Sequence, residues 1–152
     1  MALFKHRADY YFWTFALVIL IKGLVDYLTG TGPLSLNIGD TYYVAEATTV
    51  CFITCTVFVV IGFIYRALYS IGAQPLQKLT KLHTGLSYLI VIIFWVALPI
   101  LNKNQGDIFT THHWYTDTDL IITLLLLLFC LTQFLLVINA TACMIKKLKA
   151  GN

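Results

Sequence analysis

Four apolar runs, at about 10–28, 42–65, 82–101 and 120–145, each extend for roughly 20 residues, and that length constrains this chain more than any motif in it. An α-helix rises about 1.5 Å per residue, so a run of this size crosses the ~30 Å hydrocarbon core of a bilayer. The strict alternation of a membrane β-strand is absent, and such a strand needs only about 9–11 residues. Lipid offers no partner to backbone N–H and C=O groups, which leaves helices that satisfy themselves internally. The expected fold is all-α, a single four-helix transmembrane domain over residues 1–152. Composition closes off the alternatives: 11% of residues are charged and 59% hydrophobic, where soluble domains carry roughly a quarter charged. A net charge of +3 and four scattered Cys argue against a nucleic-acid partner and a disulfide scaffold, leaving the lipid bilayer as the first partner.

The Lys and Arg residues set the orientation. Lys5 and Arg7 precede the first run, Arg66, Lys78 and Lys81 lie between the second and third, and Lys146, Lys147 and Lys149 follow the fourth. Those segments are expected in the cytoplasm. The 28–41 link has no Lys or Arg, and the 102–119 link sets Lys103 against Asp107, Asp117 and Asp119. Both termini are thus expected inside, in a bacterial inner membrane. Turn signals at Gly30-Thr31-Gly32-Pro33 and Gly72-Ala73-Gln74-Pro75 make the links short, which favours an up-down bundle. No small-residue cleavage pattern follows the first run, so it is expected to be retained.

Charges at membrane depth are expensive and usually pair inside the bundle. Lys22 and Asp26 are spaced i, i+4, and Glu46 is expected at a similar depth on the second helix, so the three form a candidate intramembrane charge cluster. It reads either as a structural salt bridge or as an ion site, the latter implying a small Glu46-dependent transporter. Thr49 and Thr56 extend the polar stripe of Glu46. Cys51 and Cys55 share another face, where close packing is the simplest role. Gln133 and Asn139 are expected to make interhelical hydrogen bonds, and Pro99 to kink or end the third helix.

Four His residues remain. His83 is expected at the cytoplasmic edge, where it could meet His6, and a solvated imidazole is the plain expectation there. His112 and His113 fall in the outer loop beside Trp114, Tyr115, Asp117 and Asp119, a mixture of imidazole and carboxylate suited to a borderline metal ion. Asp117 or Asp119 would equally serve as an N-cap for the fourth helix.

The string Asn37-Ile38-Gly39-Asp40-Thr41-Tyr42-Tyr43-Val44-Ala45, running into the second apolar run, resembles the segment that leads into the tenth helix of haem-copper oxidase subunit I. Lys81-Leu82-His83 is similar to the opening of the next helix of that family, and the fourth run with Asn139 and Lys146-Lys147-Leu148-Lys149 to its last helix. The resemblance spans roughly residues 37–149 and implies the same outside-to-inside sense. Carried over position by position, the two haem ligands of the family fall on Ala47 and Thr49, and the leading His falls on Gly39, leaving Asp40. Neither Ala nor Thr ligates haem iron, so the resemblance implies a non-catalytic accessory or structural component of a membrane complex, with no cofactor. Asp40 and Thr41 are expected to cap the second helix. With His112, His113 and Asp117, Asp40 is also a candidate weak metal site on the outer face. A small metal, haem or ligand binder is the alternative function, and other membrane subunits or a second copy of the chain are the expected protein partners.

Overall fold

The structure, a computed structural model, describes residues 7–38, 41–102 and 117–151. Among them are four helices, α1 (Ala8–Thr29), α2 (Ala47–Ser70), α3 (Gln77–Asn102) and α4 (Asp117–Gly151), each with a segment long and apolar enough to cross a membrane. Between 17% and 28% of each such segment is buried within the protein. Rows such as Leu17, Val18, Ile21, Leu24 and Val25 on α1, and Leu124, Leu127, Leu128 and Leu131 on α4, stand exposed. So much exposed apolar surface requires lipid as solvent, and the chain is an integral membrane protein.

The all-α class holds with one addition. The link between α1 and α2 is a β-hairpin, β1 (Pro33–Ile38) antiparallel to β2 (Thr41–Glu46), with Ile38 opposite Thr41. Leu34, Leu36 and Ile38 alternate with polar or small residues, Thr41 to Val44 are β-branched or aromatic, and only Gly39-Asp40 separates the strands. That is the composition of a two-residue hairpin. The second helix therefore begins at Ala47, not at 42, and Thr41 lies in a strand, where it does not cap the helix. Glu46 holds the N-cap position, without a side-chain cap bond. At the other boundaries α3 continues through Pro99 to Asn102.

Helices α1 and α2 both end on a left-handed glycine, Gly30 (φ 64°) and Gly72 (φ 73°). At each, the next residue returns an N–H to a carbonyl five back, Thr31 to Asp26 and Ala73 to Leu68, both at 3.0 Å. These bonds satisfy carbonyls that the helix ends would leave orphaned.

Helix α1 packs chiefly on α2, and α3 on α4. Within hydrocarbon there is no hydrophobic drive between helices, so close fit and hydrogen bonds hold the bundle. Phe12 and Phe15 of α1 meet Phe58 and Tyr65 of α2, Tyr88 of α3 stacks on Phe15 at 4.1 Å, and Phe129 of α4 stacks on Phe58. Glycine brings α1 and α2 close at two levels. A Cβ on Gly23 would stand 2.8 Å from Cys51 Cβ, and one on Gly62 would stand 2.3 Å from the Trp13 indole nitrogen. A Cβ on Gly85 of α3 would meet nothing within 4 Å.

Those spacings predict opposite outcomes for one kind of substitution. Gly23→Ala forces the α1 and α2 backbones apart and should destabilise the protein by about 1–3 kcal/mol, as overpacking does. Gly85→Ala should be neutral or stabilising by up to about 1 kcal/mol through helix propensity. Unfolding in mixed detergent micelles measures both, and equal effects would sink the argument.

Candidate functional site

Because α3 begins at Gln77, His83 lies nearly two turns inside the helix and not at its edge. The ring is fully buried, a correction to the solvated His expected there. All four helices meet at it. Phe12 of α1 packs on its face at 5.2 Å between centroids, Tyr65 Oη of α2 lies 3.0 Å from Nδ1, and Gln133 Oε1 of α4 lies 3.4 Å from Nε2. The Gln133 amide nitrogen donates to Phe129 O and Thr132 Oγ1, both at 3.1 Å, which turns its oxygen toward the imidazole. For a neutral ring this order puts the proton on Nε2, so Nε2–H donates to Gln133 and Tyr65 O–H donates to Nδ1.

One turn toward the α3 start, Asn139 joins α3 to α4. Its Oδ1 accepts the Leu76 N–H and its Nδ2 donates to Thr80 Oγ1, each at 2.8 Å. Both groups also approach the Tyr65 hydroxyl. Gln133 and Asn139 thus make the interhelical bonds expected of them. Ser87, one turn beyond His83, is fully buried and its hydroxyl has no partner among the described residues.

Thr80 connects this network to a half-open cleft of about 560 Å3 where the starts of α1 and α3 approach the end of α2. Tyr11, Tyr69 and Tyr88 supply aromatic walls, Gln74, Gln77, Thr80 and Thr84 supply amides and hydroxyls, Lys81 supplies the one charge that the described residues bring to the lining, and Gly85 leaves space. Sequence reasoning missed this cleft. The helical spacing of Thr80, Thr84 and Tyr88 was the available signal.

Behind the cleft a carboxylate is fully buried between two guanidinium groups. Asp9 pairs with Arg7 at 2.8 Å and lies 3.7 Å from Arg66. The hydrogen bond to Asp9 raises the Arg7 pKa above its ordinary value. Arg7 also lies over the Tyr10 and Tyr69 rings, and Tyr69 Oη accepts the Ala8 N–H at 3.3 Å.

At the opposite end Lys22 and Asp26 form the i, i+4 ion pair expected of them. Glu46 does not join it. Glu46 is exposed at the start of α2 and makes no ion pair among the described residues, because β2 holds it outside the helix. Besides Lys22, Asp26 accepts from Thr31 Oγ1 at 3.2 Å and from Cys51 Sγ at 3.7 Å, while Lys22 lies 4.8 Å over the Trp95 ring. Among the described residues the expected three-charge cluster is therefore the Lys22 and Asp26 pair, with Glu46 apart from it.

Of the candidate metal residues, Asp40, His112 and His113 lie outside the described residues, as does His6, and Asp117 is placed only as the first residue of α4. Among the described residues no group of three or more His, Cys, Asp or Glu side chains could hold a metal ion. Of the residues that carry the oxidase resemblance, Thr41 to Ala45 lie in β2, and Lys81-Leu82-His83 lies within α3. No family model matches the chain, and neither a curated protein nor a solved structure does.

The Tyr65 and His83 pair makes a direct prediction. In a double-mutant cycle of Tyr65→Phe with His83→Leu, unfolding in micelles should give a coupling energy of about 0.6 kcal/mol and no more than about 1.7, the range for membrane hydrogen bonds. Zero coupling would remove this bond as a determinant of the bundle.

Proposed function

We propose that this is an up-down four-helix protein of a bacterial inner membrane, with both termini in the cytoplasm, that binds a small amphipathic molecule in the cleft where α1, α2 and α3 converge. The cleft carries the reading. Its volume falls within the about 300–1,000 Å3 of small-molecule sites, and it joins apolar walls to a few polar groups in the way such sites do. Its position supports entry from the membrane. Arg7, Arg66, Lys78 and Lys81 lie toward the ends of the helices that form it, Lys146, Lys147 and Lys149 lie near the end of α4, and Lys147 donates to the Ile71 carbonyl at the end of α2. Such a basic end marks the cytoplasmic interface.

The accessory role implied by the oxidase resemblance has narrower support: the resemblance alone assigns Ala47 and Thr49, which cannot ligate haem iron, to that family's ligand positions. It is compatible with a ligand cleft and specifies no site of its own.

Two measurements test the reading. A reporter active only in the cytoplasm should be active when fused after Asn152 and inactive when inserted in the 103–116 segment; the reverse pattern overturns the orientation. Gly85→Phe should fill the cleft without disturbing the bundle, since no atom stands where the new side chain begins. Thermal stabilisation of the purified protein by inner-membrane lipid extract should be present in the unaltered chain and lost in Gly85→Phe. Equal stabilisation of both would reject the cleft as a ligand site.

A further inference from the structure

Taking the cleft as a ligand site, we infer that its occupant is an anionic glycerophospholipid of the cytoplasmic leaflet, its phosphate beside Lys81. The sign of the cleft argues for an anion. Among the described residues no Asp or Glu lines it, and Asp9, next to the lining residue Ala8, is already held by Arg7 and Arg66. Lys81 is exposed at the mouth and makes no hydrogen bond, ion pair or ring contact among the described residues. Such an unspent ammonium, three donors on a flexible stem, suits a phosphate as a point charge. Around it the amides of Gln74 and Gln77 and the hydroxyl of Thr84 make no hydrogen bond among the described residues, and Tyr11 and Tyr88 bring phenol groups to the same lining. They supply neutral donors and acceptors for phosphate oxygens and a hydroxylated headgroup.

Two features place the charge and the tails. Gln77, the first residue of α3, lies in the lining, so the positive end of a 26-residue helix opens on the same space. The cleft wall is otherwise largely apolar, with Ala8, Pro75 and the faces of Tyr11, Tyr69 and Tyr88, and the helices that carry it present lipid-facing side chains such as Leu82 and Leu89. Acyl chains can follow those surfaces into the bilayer while the headgroup stays in the cleft. Basic pockets between membrane helices on the cytoplasmic side recognise anionic headgroups on this basis.

The test uses the full chain in phosphatidylcholine vesicles containing spin-labelled phosphatidylglycerol or spin-labelled phosphatidylcholine. Electron paramagnetic resonance reads the immobilised lipid fraction. Phosphatidylglycerol should be preferred by about fivefold, the effect of one lysine near an anionic headgroup. Lys81→Ala should bring the ratio close to one, Lys81→Arg should preserve it, and Lys78→Ala, outside the lining, should leave it unchanged. An equal loss in Lys78→Ala would assign the preference to general surface charge and overturn the inference. If both lipids are immobilised equally and Gly85→Phe releases both, the cleft binds amphiphiles but the anionic assignment fails. If Gly85→Phe changes neither, the cleft reading fails with it. Competition by soluble glycerol 1-phosphate as effective as that by the lipid would make the ligand a free phosphate ester and refute a membrane source.

Discussion

A polar side chain sealed among four helices takes its partners from the protein or goes without, and His83, which finds them on three neighbours, sets the terms for the rest of this bundle. Its two nitrogens reach α2 and α4, and its face rests on α1. Each contact fixes one neighbour relative to α3. In water an unmet imidazole could recover its bonds by exposure; in lipid the alternative is an unsatisfied donor or acceptor, which is why such groups specify arrangement as well as adding stability. The Leu76, Asn139 and Thr80 bonds repeat the logic one turn away, with an α4 side chain accepting the N–H just before α3 begins.

The polar network also explains where the protein is open. Toward the middle of the bundle the aromatic side chains Phe12, Phe15, Phe58 and Tyr88 fill the space between α1, α2 and α3. Nearer the α3 start the fillers become Thr80, Thr84 and Gly85, which are short, and the chain arrives through Gln74-Pro75. Small side chains next to a rigid hydrogen-bonded core leave a cleft that cannot collapse by rotating a helix, since rotation would break the His83 contacts. Ligand space and bundle register are therefore set by neighbouring turns of the same helix.

The spans were legible because length and hydropathy suffice to find them, and the Lys22 and Asp26 pair because i, i+4 spacing is a property of the helix alone. The hairpin was obscured by its own residues: Tyr42 to Val44 are apolar enough to merge into the following run, although the Leu34, Leu36, Ile38 alternation and the two-residue Gly39-Asp40 link carry a strand signal. That merger displaced Glu46 into the helix on paper and produced a three-charge cluster that the structure reduces to a pair. His83 was misplaced for the converse reason. The polar first turn of α3, Gln77 to Lys81, hides the helix start from a hydropathy reading, so a residue nearly two turns inside looked interfacial. The spacing of Thr80, His83 and Ser87 at i, i+3 and i+7 was the better guide, because a polar stripe on one face of an apolar helix points to neighbours and not to lipid.

The charges divide along the same line between structure and recognition. Asp9 between Arg7 and Arg66, and Asp26 with Lys22, are carboxylates whose exposure is close to nil and whose cations are already engaged. Removing either carboxylate would strand a cation against the bundle, so these groups are committed to holding helix ends. Lys147 is committed as well, to the carbonyl at the close of α2. Lys81 has no such duty. It sits on the helix that carries His83, half a turn from that ring, but faces the cleft instead of the core. A bundle that satisfies its buried ions internally, and whose cleft is lined among the described residues by Lys81 as its charged group, separates the groups that define its shape from the group we propose to meet an anion.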